Sequence, residues 1–170
     1  EAVFKQRLQS IVDNPALLRR LTGVYQSPQG DRQVLVDIAK LLKKQFNWNL
    51  TDKNIAISNG SQPAFFILYN MLAGTMTDGR HKSIHLPLAP EYIGYSDIGL
   101  TENFFTATRP DIELLDNNLF KYHVDFSNIG SLDNTAALCV SRPTNPTGNV
   151  LTDYEIEQLD EIARNKNIPL

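Results

Sequence analysis

Apolar residues recur at helical spacing from the first turns of the chain, where Val3, Phe4, Leu8, Ile11 and Val12 share one face. Pro15 opens a second short helical stretch through Leu21, because its fixed φ and missing N–H suit a first turn. The run Thr22-Gly23-Val24-Tyr25-Gln26-Ser27-Pro28-Gln29-Gly30 has neither period and is rich in turn formers, which predicts an irregular loop. Residues 31–46 return to helix, with Val34, Leu35, Ile38, Leu41, Leu42 and Phe46 on one side and Lys40, Lys43 and Lys44 largely on the other.

Beyond this point short apolar runs alternate with helical ones. The pattern predicts strands over residues 54–58, 82–88, 103–108 and 135–141, helices over 63–72 and, briefly, 92–100, and a final helix from Thr152. Thr152-Asp153-Tyr154-Glu155 fits a capping box, in which the Thr and Glu side chains reciprocally satisfy first-turn amides. Alternation of this kind argues for an α/β fold, a mostly parallel sheet flanked by helices, whose ligands bind outside the carboxyl ends of the strands. No internal repeat or linker suggests a second domain. The chain starts without methionine, and Ile168-Pro169-Leu170 reads as the entry to another buried strand, so a fragment is expected. A sheet interrupted there leaves apolar surface and an unpaired edge, which favours self-association.

Composition narrows the function. A chain of 170 residues with 42% hydrophobic content can fill one sizeable core. The net charge of −3 comes from interspersed acids and bases without a basic stripe, which excludes nucleic acid as a partner. Cys139, the single cysteine, lies inside the run Ala136-Ala137-Leu138-Cys139-Val140 and reads as a small buried hydrophobe in a reducing compartment. No apolar run approaches the roughly 20 residues that span a bilayer, so a cytoplasmic protein without a membrane partner is expected. His81, His85 and His123 are dispersed without metal-ligand spacing, and no metal is expected. The glycine fingerprints of a nucleotide-binding α/β domain are absent.

Three loops, each after the end of a predicted strand, carry candidate chemistry. In Ser58-Asn59-Gly60-Ser61-Gln62-Pro63, a glycine ahead of a helix allows close approach, and first-turn amides form an anion site suited to phosphate. The same residues also read as a plain turn with Ser61 as a helix cap. In Leu88-Ala89-Pro90-Glu91-Tyr92-Ile93-Gly94-Tyr95, a tyrosine held by a proline-restricted turn can offer its ring face to a planar ligand, although Tyr92 and Tyr95 equally suit half-buried packing. In Ser141-Arg142-Pro143-Thr144-Asn145-Pro146-Thr147-Gly148, two prolines bracket Asn145 and limit the freedom of its amide, as a donor aimed at a ligand oxygen requires; a turn is the alternative.

Taken in this order, the loops resemble those of the fold-type-I pyridoxal-phosphate-dependent aminotransferases, over most of the chain. Gly60-Ser61-Gln62 resembles the family's phosphate-cradling turn, Pro90-Glu91-Tyr92 the turn whose aromatic residue stacks on the pyridine ring, and Asn145-Pro146-Thr147-Gly148 the Asn-Pro-x-Gly loop. The resemblance assigns Asn145 to the cofactor's phenolic oxygen, near the substrate carboxylate. Tyr25, followed by Gly30, resembles the tyrosine that reaches the cofactor phosphate of the neighbouring subunit, which implies a homodimer. Residues 1–22 then form a helical segment leading into a partial large, cofactor-binding domain over 23–170.

The implied cofactor is pyridoxal 5'-phosphate, and the implied reaction is transamination between an amino acid and a 2-oxo acid. The runs at 88–95, 120–126 and 141–149 point within the family to valine or alanine with pyruvate or 2-oxoisovalerate. The family's aspartate, Schiff-base lysine and late arginine have no counterpart here; Lys82 and Lys121 lie in strand-like runs without the motif, and Arg142 reads as a surface charge. No residue of this chain is therefore expected to be catalytic, and the chain alone is expected to be inactive. An aminotransferase-like scaffold or regulatory domain is the alternative.

Overall fold

The computed structural model describes residues 1–170, which divide into two units, Glu1–Ser58 and Asn59–Leu170. In the first unit, α1 (Ala2–Val12) buries no residue and starts without a side-chain cap. Helix α2 (Pro15–Gly23) is fixed by Asn14, whose side chain accepts from the amides of Ala16 and Leu17 at 3.1 and 3.2 Å. It runs two residues past the predicted end at Leu21. Helix α3 (Arg32–Phe46) is capped by Asp31, which accepts from Gln33 and Val34 and pairs with Arg20. The Arg20 guanidinium is the main reason the Asp31 carboxyl sits below the ordinary carboxylate range.

The strand predicted over residues 54–58 does not enter a sheet. A 3-10 turn, Asp52–Asn54, begins the segment, and the following backbone finds its partners in a loop. Ile57 N–H donates to the Gln29 carbonyl at 2.9 Å, and the Gln29 side chain donates to the carbonyls of Asp52 and Ile55. Alternating apolar residues give a strand only when a neighbouring strand supplies the ladder, and here a glutamine takes that place.

The second unit is built on a sheet. Helix α4 (Ser61–Leu72) leads to β1 (Gly74–Thr75), which pairs antiparallel with β2 (His81–Leu86). Strand β2 is central, with parallel partners in β3 (Phe105–Ala107) and in β6 (Thr135–Leu138). Between β2 and β3 in sequence, only a 3-10 turn, Ile93–Tyr95, replaces the short helix predicted over 92–100, since two glycines in nine residues weaken a helix. A strand not read from the sequence, β4 (Asp111–Leu114), pairs antiparallel with β5 (Phe120–His123), which holds the strand-like run of Lys121, and the hairpin precedes β6. Helix α5 (Asp153–Lys166) closes the unit from the predicted cap, Thr152.

Two apolar layers cover the sheet. On one side Tyr69 and Ala73 of the α4 end pack with Ile84, Tyr95, Ile98, Phe104, Ala136 and Ala137. Both alanines reach that layer because a bulge opposite Ser83 and Ile84 leaves Ala136 as an extra residue in β6. On the other side Leu88, Val124, Leu132 and Leu138 pack under Leu151, Leu159 and Ala163. Beside this second layer lies a polar strip in which the buried His85 ring bonds the hydroxyls of Thr106 and Thr108 at 2.9 and 3.1 Å. Burial lowers the His85 pKa, so the ring is neutral, and the hydroxyls supply both a donor and an acceptor.

At the other margin, Pro169 O accepts from Leu138 N–H at 2.9 Å, so the chain after α5 starts to pair with β6, in keeping with the strand entry read at residues 168–170. Apolar surface also remains uncovered: Phe66, Ile67, Leu68 and Met71 of α4 are all exposed. No helix is long and apolar enough to cross a membrane.

The start of α5 is tied to the hairpin by one buried carboxylate. Glu155 accepts from Thr152 N–H and Oγ1, from Val124 N–H at 3.0 Å and from His123 at 3.3 Å, while His123 also reaches Glu113. Burial pushes its pKa up, but the hydrogen bonds from Thr152, Val124 and His123 outweigh burial and hold it below the ordinary 4.5. A lowered carboxylate pKa contributes stability that is complete above the unfolded value and is lost as the pH falls through the folded one. Glu155→Gln is therefore expected to lower the unfolding free energy at pH 7 by about 1–3 kcal/mol, and the gap to the parent should shrink on acidification below about pH 4. Urea titrations at the two pH values check this.

Candidate functional site

The site assembles where β2 and β6 end. Because the two strands are parallel, with His85 opposite Leu138, the loops that follow them leave the sheet at the same edge. The ladder continues one step further through Cys139 N–H to His85 O at 2.9 Å. Residues 87–95 follow β2 and residues 139–150 follow β6.

The first turn of α4 comes to this edge. Gly60, with φ 110°, is the N-cap, a place that the plain-turn alternative gave to Ser61, and a Cβ built on it meets no atom within 4 Å. Only glycine adopts this backbone without strain. Ser61 is the first helical residue and is exposed. Gln62, half-buried, donates from Nε2 to the Tyr92 hydroxyl at 3.3 Å. The phosphate-turn candidate and the ring-stacking candidate are thus in contact.

An aromatic floor supports Tyr92. Its ring meets Tyr95 edge-on at 5.6 Å, and Tyr95 in turn packs against Phe65, Tyr69 and Phe105. Tyr95 is buried, which fits its reading as a packing residue, while Tyr92 remains half-exposed. The Tyr69 hydroxyl and the Cys139 sulfur lie 2.7 Å apart, and burial raises the pKa of both groups, so the floor is uncharged at neutral pH.

The Asn145 loop is joined to the Tyr92 turn through Glu91. Its Oε1 accepts from Ser141 N–H at 2.8 Å, and its Oε2 accepts from Ser141 Oγ at 2.9 Å and from Tyr92 N–H at 3.1 Å. Within the loop, the buried Thr144 donates from Oγ1 to Ser141 O at 3.0 Å, and Thr144 and Asn149 are bonded through the backbone at 2.8 Å. Asn145 follows this braced residue and is itself exposed.

Sequence reasoning missed Glu91 and Ser141 as parts of the site. Glu91 stood beside Tyr92 in a quoted motif, but its partner lies 50 residues on, and no spacing rule announces such a pair. Tyr25 belongs to the first unit and is fully exposed. Arg142 pairs with Asp153 at 2.6 Å at the surface, as its reading as a surface charge implied. Lys121 donates to the Val150 carbonyl at 2.7 Å, and Lys82 lies in β2 opposite Gly74.

The absence of a side chain at Gly94 leaves room for Gln62 and Tyr92 to meet. A Cβ there would collide with Gln62 Nε2 and with the Tyr92 ring. Gly94→Ala is therefore expected to displace both side chains and to leave the aromatic floor below in place. A crystal structure of the variant checks this: Tyr92 should move while Tyr69 and Phe105 superimpose, and an unmoved Tyr92 contradicts the reading.

No protein-family model matches the chain. Over 146 residues it is 51% identical to valine–pyruvate aminotransferase of Escherichia coli K12, an alignment that covers 86% of this chain and 35% of that protein. The crystal structure of valine-pyruvate aminotransferase from Salmonella typhimurium LT2 superimposes with a TM-score of 0.83 at 44% identity, covering 99% of this chain and 41% of that one. N-succinyldiaminopimelate aminotransferase from Mycobacterium tuberculosis shares the fold at 21% identity, with a TM-score of 0.72 over 96% of this chain and 39% of its own. The chain therefore spans little more than a third of the relatives it matches. Over that span it is a homologue of valine–pyruvate aminotransferase with the α/β fold of the fold-type-I aminotransferases.

Proposed function

We propose that the whole protein is a pyridoxal-phosphate-dependent aminotransferase that moves an amino group between an amino acid and a 2-oxo acid, with valine or alanine and pyruvate or 2-oxoisovalerate as the pairs. The observation that carries this reading is the meeting of three sequence-distant loops at one sheet edge. Gln62 touches Tyr92, and Glu91 beside Tyr92 holds the loop that bears Asn145. The identity of 51% to valine–pyruvate aminotransferase supports the choice of substrates.

The residues present suit a flat phosphorylated pyridine. Gly60 leaves open space at the start of a 12-residue helix, where first-turn amides and the helix dipole favour a phosphate. Tyr92 offers an aromatic ring above an uncharged floor, and Asn145 is an exposed amide able to donate to the phenolic oxygen. When bound, the cofactor supplies the electron sink for removal of the α-proton. This chain's residues bind and orient: Gly60, Ser61 and Gln62 anchor the phosphate, Tyr92 fixes the plane of the ring, and Asn145 sets its rotation. Tyr25 completes the phosphate site of a second copy in a cytoplasmic homodimer. Residues 1–22 lead into the cofactor-binding domain that 23–170 begins.

The exchange of amino groups between L-valine and pyruvate, followed as alanine formation, tests the reading on the whole protein. Asn145→Ala should reduce kcat/KM about tenfold or more, the scale of one lost hydrogen bond to a charged oxygen. Unchanged kinetics remove Asn145 from the site, and no valine–pyruvate exchange by the unaltered protein removes the substrate assignment. The 170-residue chain alone should exchange no amino groups in the same assay.

A further inference from the structure

Resting on the cofactor reading above, we infer that Glu91 is a positioning residue that locks the Tyr92 turn and the Asn145 loop at one mutual spacing. Three donors converge on its carboxylate: Ser141 N–H at 2.8 Å, Ser141 Oγ at 2.9 Å and Tyr92 N–H at 3.1 Å. All three are neutral, so Glu91 is no half of a surface ion pair. Its negative charge is dispersed among groups of two loops that lie 50 residues apart in sequence. Hydrogen bonds to an ionised acceptor are roughly twice as strong as those between neutral groups.

The geometry makes the joint stiff. Ser141 is gripped at both its amide and its hydroxyl, each by a different carboxylate oxygen, so the residue can neither slide nor turn without breaking a bond. From Ser141 the constraint passes through the buried Thr144, whose hydroxyl bonds Ser141 O, to Asn145, the next residue along the chain. On the other arm it passes directly to Tyr92. Glu91 therefore touches no cofactor in this scheme and acts through the two residues that do. A rigid support of this kind matters because a displacement of about 1 Å in a positioning group can cost roughly a hundredfold in rate.

The length of the side chain and its two polar ends make the joint. Glutamine keeps an acceptor for Ser141 N–H and can donate to Ser141 Oγ, but its amide nitrogen cannot accept from Tyr92 N–H, so it keeps the grip on Ser141 and loses only the bond to Tyr92. Alanine removes all three bonds. The experiment compares the whole protein with Glu91→Ala and Glu91→Gln by amide hydrogen exchange without cofactor, and then by fluorescence titration and visible circular dichroism with pyridoxal phosphate. Since the free cofactor is achiral, its induced dichroism reports a fixed orientation and not merely occupancy.

Glu91→Ala should speed exchange over residues 141–149 about tenfold, weaken pyridoxal phosphate binding about tenfold and more than halve the induced signal at saturation, while Glu91→Gln should stay within about threefold of the parent. If Glu91→Ala fails to fold, Ser141→Ala, which removes only the hydroxyl arm, should shift the same measurements in the same direction by about threefold. Unchanged exchange over 141–149 overturns the joint, and normal affinity with normal dichroism overturns its role in placing the cofactor. A parent protein that binds no pyridoxal phosphate defeats the proposed function instead, and the exchange comparison then upholds or overturns the joint by itself.

Discussion

The parallel pairing of β2 with β6 is the constraint from which the rest of the second unit follows. Strands that run the same way release their following loops at the same edge, and the match of His85 with Leu138 brings those loops out level. An antiparallel pairing of strands this long would separate the two loop origins by roughly 20 Å, far beyond the reach of a glutamate. With parallel strands, a single carboxylate spans the gap, and the first turn of α4 reaches the same edge through Gln62 and Tyr92. The site is thus a product of strand direction before it is a product of any side chain.

The two faces of the sheet do different work. One carries Ile84 and the two alanines of β6 against the aromatic group of Phe65, Tyr69, Tyr95 and Phe105, and so forms the support beneath Tyr92. The other combines the leucines under α5 with a strip of hydroxyls around His85. Buried polar groups are tolerated there because each has a partner: both nitrogens of the His85 ring and both threonine hydroxyls are mutually satisfied.

The helices and the central strands were readable because their patterns are local. The helical period of residues 31–46 and the box at Thr152 to Glu155 need no knowledge of neighbours, and both elements begin within a residue of their predicted starts. The segment at 54–58 failed for the opposite reason, since its apolar alternation states a preference that only a partner strand can realise. Strand β4 was passed over because Asp111-Ile112-Glu113-Leu114 is fully exposed and the turn that follows it, at Asn117 and Asn118, uses two asparagines with positive φ in place of the glycine signal. The candidate loops of the site could be named from their residues and from the family they resemble. The joint between them could not, because Glu91 and Ser141 are ordinary residues whose roles exist only once the sheet has brought them together.

Helix α4 has apolar residues on opposite sides: Phe65 and Tyr69 face the support under Tyr92, while Phe66, Ile67, Leu68 and Met71 look outward. Such a helix is not oriented by amphipathicity, because turning it about its axis by one residue, about 100°, exchanges one greasy surface for another. Its angular setting is held instead by discrete polar pegs. Asn70 accepts from Leu100 N–H and donates to Ile98 O at one end, and Gln62 donates to the Tyr92 hydroxyl at the other. The azimuth of the turn at Gly60 is consequently fixed by discrete polar contacts along the helix, from Gln62, Tyr69 and Asn70, and not by the oily residues that look outward.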